Sequence, residues 1–326
     1  MIIDVHQHYS PPALTEAVAK ESPGLKMLTE PCVELDGRLP EMDACGIDAA
    51  LLSIPHPCRL SPGDDRAGYL ALARRCNDEL LAAAERRPDR FAVLIALPFG
   101  DTEGSLEELE RVAGHPLVKG VIGFSVTRPW SLYEPRLEPV YQAMARRNFS
   151  LMLHPVMDDF TAHPSFEAFT LFGSIASPVQ ETVTAAQLML SGTLDRVPEL
   201  TLIIPHLGGV LPYLAQRLID QSGTGAAQYD CLEYLRTRCL VDSCSYHQPA
   251  LSCAEATMSA QRILLGSDYP YRGSLQRAVS DIETSGLNAL DRAAVYGGNA
   301  ERAGLLTDAM RAPRRRGEPC PAGDRP

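Results

Sequence analysis

MIIDVHQHYS, residues 1–10, decides how the rest of the chain is read. A short β-branched run leads straight into His6-Gln7-His8. In a strand, residues i and i+2 point to the same face. Both imidazoles would then converge at one strand end, where they could hold one metal ion. The plain alternative is a pair of surface histidines on a frayed terminus. The remaining strands and their ends choose between these two.

Seven more apolar runs succeed the first: AALLSI (49–54), FAVLIAL (91–97), VKGVIGF (118–124), SLML (150–153), TLIIP (201–205), CLVDS (239–243) and RILLG (262–266). They are continuous rather than alternating, as expected of parallel strands covered on both faces. Segments of helical periodicity separate them: 66–87, 102–113, 135–148, 178–197, and shorter stretches near 212–220, 228–238, 249–260 and 274–286. Eight strands alternating with helices predict an α/β fold, a single-domain (β/α)8 TIM barrel over residues 1–306. No Gly-rich phosphate loop follows any strand, which leaves an open dinucleotide-binding sheet without support. Residues 10–40 form a Pro-containing excursion after the first strand. The segment 307–326 ends in RAPRRRGEPCPAGDRP, whose composition predicts a disordered tail.

The chain has 326 residues, 45% hydrophobic and 22% charged, with a formal charge of −11. That sign disfavours a nucleic acid as partner. No run of about 18 apolar residues predicts a membrane helix, and the N-terminus has no signal-peptide pattern. Nine cysteines, an odd number with no CxxC pair, read as reduced thiols of a cytoplasmic protein.

In a barrel, chemistry sits where the strands end. The first strand ends in His6 and His8, the fifth runs into His154, the sixth into His206, and the eighth into Asp268. Imidazole nitrogens and one carboxylate are suitable ligands for zinc and leave a position open for water or substrate, and manganese is also possible in such a site. His206, followed by two glycines, is placed as an acid/base group. Each residue taken alone has an ordinary structural reading; together, in barrel order, they predict a site for one divalent metal.

The chain resembles the amidohydrolase superfamily, in the branch of aminocarboxymuconate-semialdehyde decarboxylase and related aromatic-acid decarboxylases. DVHQHYSP, PDRFAVLIALP, SLMLHPV, SPVQETVTAAQLMLSGTLDRVPELTLIIPHLGG, RILLGSDYPY and GNAERAGLL carry the resemblance, which spans residues 2 to about 306. It implies that His6, His8, His154 and Asp268 ligate the metal, usually zinc, and that His206 and Asp268 take acid/base roles. It implies a metal-dependent, non-oxidative carboxy-lyase of a small aromatic or unsaturated carboxylic acid, assembled as a homodimer. The alternative is a mononuclear zinc hydrolase of a lactone, an amide or a C–C bond, using metal-activated water.

Departures from the family are also visible. The lysine that bridges two metals in binuclear members is missing: strand four ends GVIGF, with Lys119 at its opposite end. Gly209 stands where benzoate-type decarboxylases often carry a glutamate. Arg38 is not a convincing partner for a substrate carboxylate. Arg128 and Trp130 after strand four, Arg272 after Asp268, and His247 are candidate substrate-binding residues. Arg59 and His56 are further residues beyond strand ends. Glu181 opens a helix within a matched motif and is a candidate support for a metal ligand. Asp4 shares the face of His6 and His8 if the strand is regular.

Overall fold

The computed structural model describes residues 1–21, 30–56, 66–125, 131–156, 163–221, 223, 225–271 and 274–312. Eight parallel strands succeed one another in sequence order: β1 (Ile3–His8), β2 (Ala49–Ser53), β3 (Phe91–Ala96), β4 (Val118–Phe124), β5 (Ser150–His154), β6 (Leu202–Ile204), β7 (Cys239–Asp242) and β8 (Ile263–Leu264). The ring closes between its first and last members. Val5 N–H donates to the Leu265 carbonyl at 2.9 Å, and His8 N–H to the Tyr269 carbonyl at 2.8 Å. The fold is therefore the single-domain (β/α)8 barrel that the alternating pattern predicts.

Burial explains the unbroken apolar runs. Every residue of β2 and β3 is buried, because helices cover the outer face and the barrel interior the inner one. The helix Arg66–Glu85 supplies one such cover, burying Leu72, Cys76, Leu80 and Ala84 along a three-to-four-residue stripe. Truncating one fully buried leucine of this kind costs about 2–5 kcal/mol.

One expectation needs correction: the long helix predicted over 178–197 is two, Ser177–Leu190 and Thr193–Arg196. Gly192 breaks it at φ +72°, a left-handed conformation that glycine adopts without a Cβ penalty. Much of the excursion after β1 is helical: Pro12–Glu21 buries Ala13, Leu14 and Val18, and Leu39–Ala44 buries Leu39 and Met42. Asp308–Arg311 form a further turn of helix, with Met310 N–H bonded to Thr307 Oγ1 at 3.1 Å and Met310 buried in the core. The remainder of the expected tail, 313–326, lies outside the described residues, so its disorder stays an expectation.

Candidate active site

His6 and His8 lie within β1 rather than beyond it, and its extended backbone turns both imidazoles into the barrel mouth. His154 closes β5 beside them. Asp268 arrives from the segment following β8, in a left-handed conformation at φ 52°. Asp4 explains how that segment is held. Fully buried, it accepts bonds from the Ser267 hydroxyl at 2.6 Å, the Ser267 amide at 3.1 Å and the Gln7 side chain at 2.8 Å. Asp4 thus ties β1 to the turn carrying Asp268, a supporting role.

The donor atoms converge. His6 Nε2 lies 3.0 Å from His8 Nε2, which lies 3.1 Å from His154 Nε2 and 3.2 Å from Asp268 Oδ1. One donor atom from each of His6, His8, His154 and Asp268 falls within 4.8 Å of the others, and all four residues are buried. The far ring nitrogens say why this is not a hydrogen-bonded cluster. His6 Nδ1 faces Asp242 Oδ2 at 2.6 Å, and His154 Nδ1 donates to the Pro155 carbonyl at 2.8 Å. His8 Nδ1 faces the Ser53 hydroxyl at 3.2 Å. The acceptors at Nδ1 of His6 and His154 place the proton there and leave their Nε2 lone pairs facing the cluster, an arrangement suited to a cation. Burial and the neighbouring imidazoles hold His154 well below the ordinary histidine range, and burial lowers His8 too, so both remain neutral ligands. The donor set fits a divalent metal ion.

His206 stands at the edge of this cluster. Its Nδ1 meets both carboxylate oxygens of Glu181, at 2.9 and 3.0 Å, while Nε2 lies 3.6 Å from Asp268 Oδ2. Burial opposes its protonation, but Glu181 and Asp268 outweigh that and raise His206 well above the usual histidine range. Asp268 is correspondingly held ionised well below the carboxylate range: burial opposes this, and the contact with His206 and the surrounding imidazoles prevail. Glu181 is thus placed on His206, the candidate acid/base residue.

Local backbone makes this possible. After β6 the chain turns through four consecutive positive φ values, from His206 to Gly209. A Cβ on Gly209 would come within 2.3 Å of the Pro178 carbonyl and 2.5 Å of Thr182 Oγ1. The helix that carries Glu181 packs directly where a side chain at 209 would stand.

Pro55, His56, Pro155, Val156, Phe172, Gly173, Ser177 and Tyr271 join His154, His206 and Asp268 around one pocket. His56, a loop histidine in the sequence, thus reaches the site. His247 does not: it is exposed where the helix Gln248–Met258 begins. Arg38 is buried with its guanidinium on the His8 carbonyl at 2.9 Å and Gln7 Oε1 at 3.2 Å, a brace for β1. Arg59, Arg128, Trp130 and Arg272 lie outside the described residues. Sequence reasoning missed Asp242, whose only signal was a carboxylate at the end of a strand.

A closed parallel barrel whose rim gathers three histidines and an aspartate from β1, β5 and the β8 turn defines a metal-dependent barrel enzyme. The chain belongs to the amidohydrolase family, whose profile matches residues 3–303. Gamma-resorcylate decarboxylase of Rhizobium sp. (strain MTP-10005) is 28% identical over 323 residues, covering 92% of this chain and 97% of that protein. The 2-amino-3-carboxymuconate-6-semialdehyde decarboxylase of Dictyostelium discoideum is 25% identical over 249 residues, covering 74% of this chain and 67% of its own. Among solved structures, 2,6-dihydroxybenzoate decarboxylase complexed with 2,6-dihydroxybenzoate matches with a TM-score of 0.83 at 25% identity, over 94% of this chain and 99% of that one.

Proposed function

We propose that this chain is a metal-dependent, non-oxidative decarboxylase of an aromatic carboxylic acid bearing a hydroxyl group next to its carboxylate. The observation that carries the reading is the His206–Asp268 contact beside a four-donor metal cluster, opening on apolar walls. A divalent ion held by His6, His8, His154 and Asp268 would supply positive charge to bind and polarise the carboxylate and its neighbouring oxygen. Imidazole and carboxylate donors of this kind suit manganese as well as the zinc that the family resemblance implies.

Pro55, Val156 and Phe172 offer the flat apolar surface an aromatic ring needs. His206, charged through its contact with Glu181 and facing Asp268, holds the proton the reaction consumes. That proton is delivered to the ring carbon bearing the carboxylate. The bond from that carbon to the carboxylate then breaks, its electron pair stays with the ring, and CO2 departs.

The test is CO2 release by manganese-loaded protein from 2,6-dihydroxybenzoate and related hydroxybenzoates in D2O. One deuterium at the carbon that lost its carboxylate is expected, with His206→Asn slowing release by about 10²–10⁴-fold. Oxygen-18 from water in the product, or no CO2 from any such acid, overturns the reading in favour of a hydrolase.

Cellular setting is supported more coarsely. None of the seven described cysteines forms a disulfide, which supports a reducing, cytoplasmic location. No described helix is long and apolar enough to cross a membrane. Phe169 and Tyr213, 92% and 82% exposed, are surface that a second copy would cover in a homodimer, as sizing of the purified protein would show.

A further inference from the structure

Asp268 faces two ways. Its Oδ1 lies 3.2 Å from His8 Nε2 and 3.5 Å from His6 Nε2, whereas Oδ2 lies 3.6 Å from His206 Nε2. Near Asp268 and His206 stands Cys244, two residues past the end of β7 and buried. One donor atom each from His206, Cys244 and Asp268 lies within 4.8 Å of the others. The set is fixed in place. His206 is oriented by Glu181 at Nδ1, and the Cys244 amide donates to Asp242 Oδ1 at 3.0 Å. The Cys244 sulfur makes only a long contact, 3.6 Å, to the Tyr246 hydroxyl, which itself donates to the Ser267 carbonyl.

We propose that His206, Cys244 and Asp268 form a second cation site, selective for a thiophilic dication such as zinc or cadmium, whose occupation inhibits the enzyme. The two sites share Asp268, as a carboxylate between paired metals can. They differ in chemistry. Three imidazoles and a carboxylate suit manganese or zinc, but a thiolate selects zinc or cadmium and discriminates against manganese. On binding, the Cys244 thiol gives its proton to solvent and its sulfur pair to the ion. The same ion takes the Nε2 lone pair of His206, so that histidine can no longer carry a proton. The inhibition, though not the binding, rests on the acid/base role proposed for His206.

The experiment titrates manganese-loaded protein with cadmium, following the ultraviolet thiolate-to-cadmium band and metal content by plasma mass spectrometry, and with zinc, following CO2 release. Wild type should gain a second equivalent together with the band and lose CO2 release. Cys244→Ser should keep basal CO2 release, lose the band, and require at least about tenfold more zinc for inhibition, since losing even a supporting contact of a ligand costs that much affinity. Cys32→Ser, altering the other buried thiol near the rim, should leave band and inhibition unchanged. His206→Asn keeps the thiol and should weaken cadmium comparably, a check that survives if Cys244→Ser misfolds. Band and zinc sensitivity unchanged in Cys244→Ser overturn the site. A lost band alongside zinc-insensitive wild type overturns the inhibition alone. Should no hydroxybenzoate be decarboxylated, the functional reading falls while the band still decides the site.

Discussion

The ends of β1 and β6 both deliver histidines to Asp268, by opposite means. β1 is regular where it matters. His6 and His8 occupy alternate positions of one extended strand, fully buried, and their spacing is that of the backbone itself. β6 stops at Ile204, and His206 enters on a left-handed turn at φ 52°, its side chain 16% exposed to the pocket. A ligand must be held still and dry. On the function proposed above, His206 passes a proton to substrate and must reach the cavity, and the price is a conformation costing about 1–3 kcal/mol per non-glycine residue. Each is anchored through Nδ1 by a carboxylate, Asp242 for His6 and Glu181 for His206. On that same proposed function, the device serves two purposes: with a metal bound, Asp242 keeps a His6 lone pair aimed at the ion, whereas Glu181 keeps a proton on His206.

The sharpest way to break this division is at β1. His6→Ala/His8→Ala should bind no manganese at stoichiometric concentration and lose CO2 release by about a thousandfold or more, because charge stabilisation by a bound ion is worth several kcal/mol. Metal content of the purified variant checks it; retained metal would mean the ion sits elsewhere. Next in size is the β6 anchor. Glu181→Gln keeps the shape and removes the charge that raises His206. At neutral pH the activity should fall by about a hundredfold, within the range for general acid–base groups. The sign is fixed by which form works. If protonated His206 is the donor, activity declines as pH rises through its raised value. The variant's alkaline limb should then move to lower pH with manganese content unchanged. A profile that drops uniformly, with no shift of the limb, would reassign Glu181 to packing.

The same contrast governs what could be read from sequence. His6-Gln7-His8 declared itself because strand periodicity is a local rule that two residues already display. The eight-strand pattern did so because burial on both faces leaves long apolar runs, and β4 begins and ends at the expected residues, Val118 and Phe124. His206 was legible from its motif, but the turn that presents it was not. Nothing local in PHLGG announces four successive positive φ values, nor that Gly209 must be bare because Pro178 and Thr182 press on it from another helix. Long-range pairing was hidden for the same reason. His6 and Asp242 lie 236 residues apart, and His206 and Glu181 lie on different elements. Glu181 shows the same limit: its helix position was clear, but its contact with His206 was a matter of tertiary packing. Gly192 was readable in principle, but uninterrupted apolar spacing on either side masked the break.

Two smaller changes sharpen the comparison within the metal ligands themselves. Asp242→Asn replaces the carboxylate at His6 Nδ1 by an amide, and a lost supporting carboxylate weakens metal binding by about 10–100-fold. Competition with a chelator measures it directly, and CO2 release at saturating manganese should recover most of its wild-type rate. His8 offers the milder counterpart, since its Nδ1 rests on the neutral Ser53 hydroxyl at 3.2 Å rather than on a charge at 2.6 Å. Neutral hydrogen bonds contribute roughly half as much as charge-assisted ones, about 0.5–1.5 kcal/mol net. Ser53→Ala should therefore weaken manganese by only a few-fold under the same chelator competition. If Ser53→Ala costs as much as Asp242→Asn, the charge on the anchor is not what tunes these histidines, and geometry alone holds them.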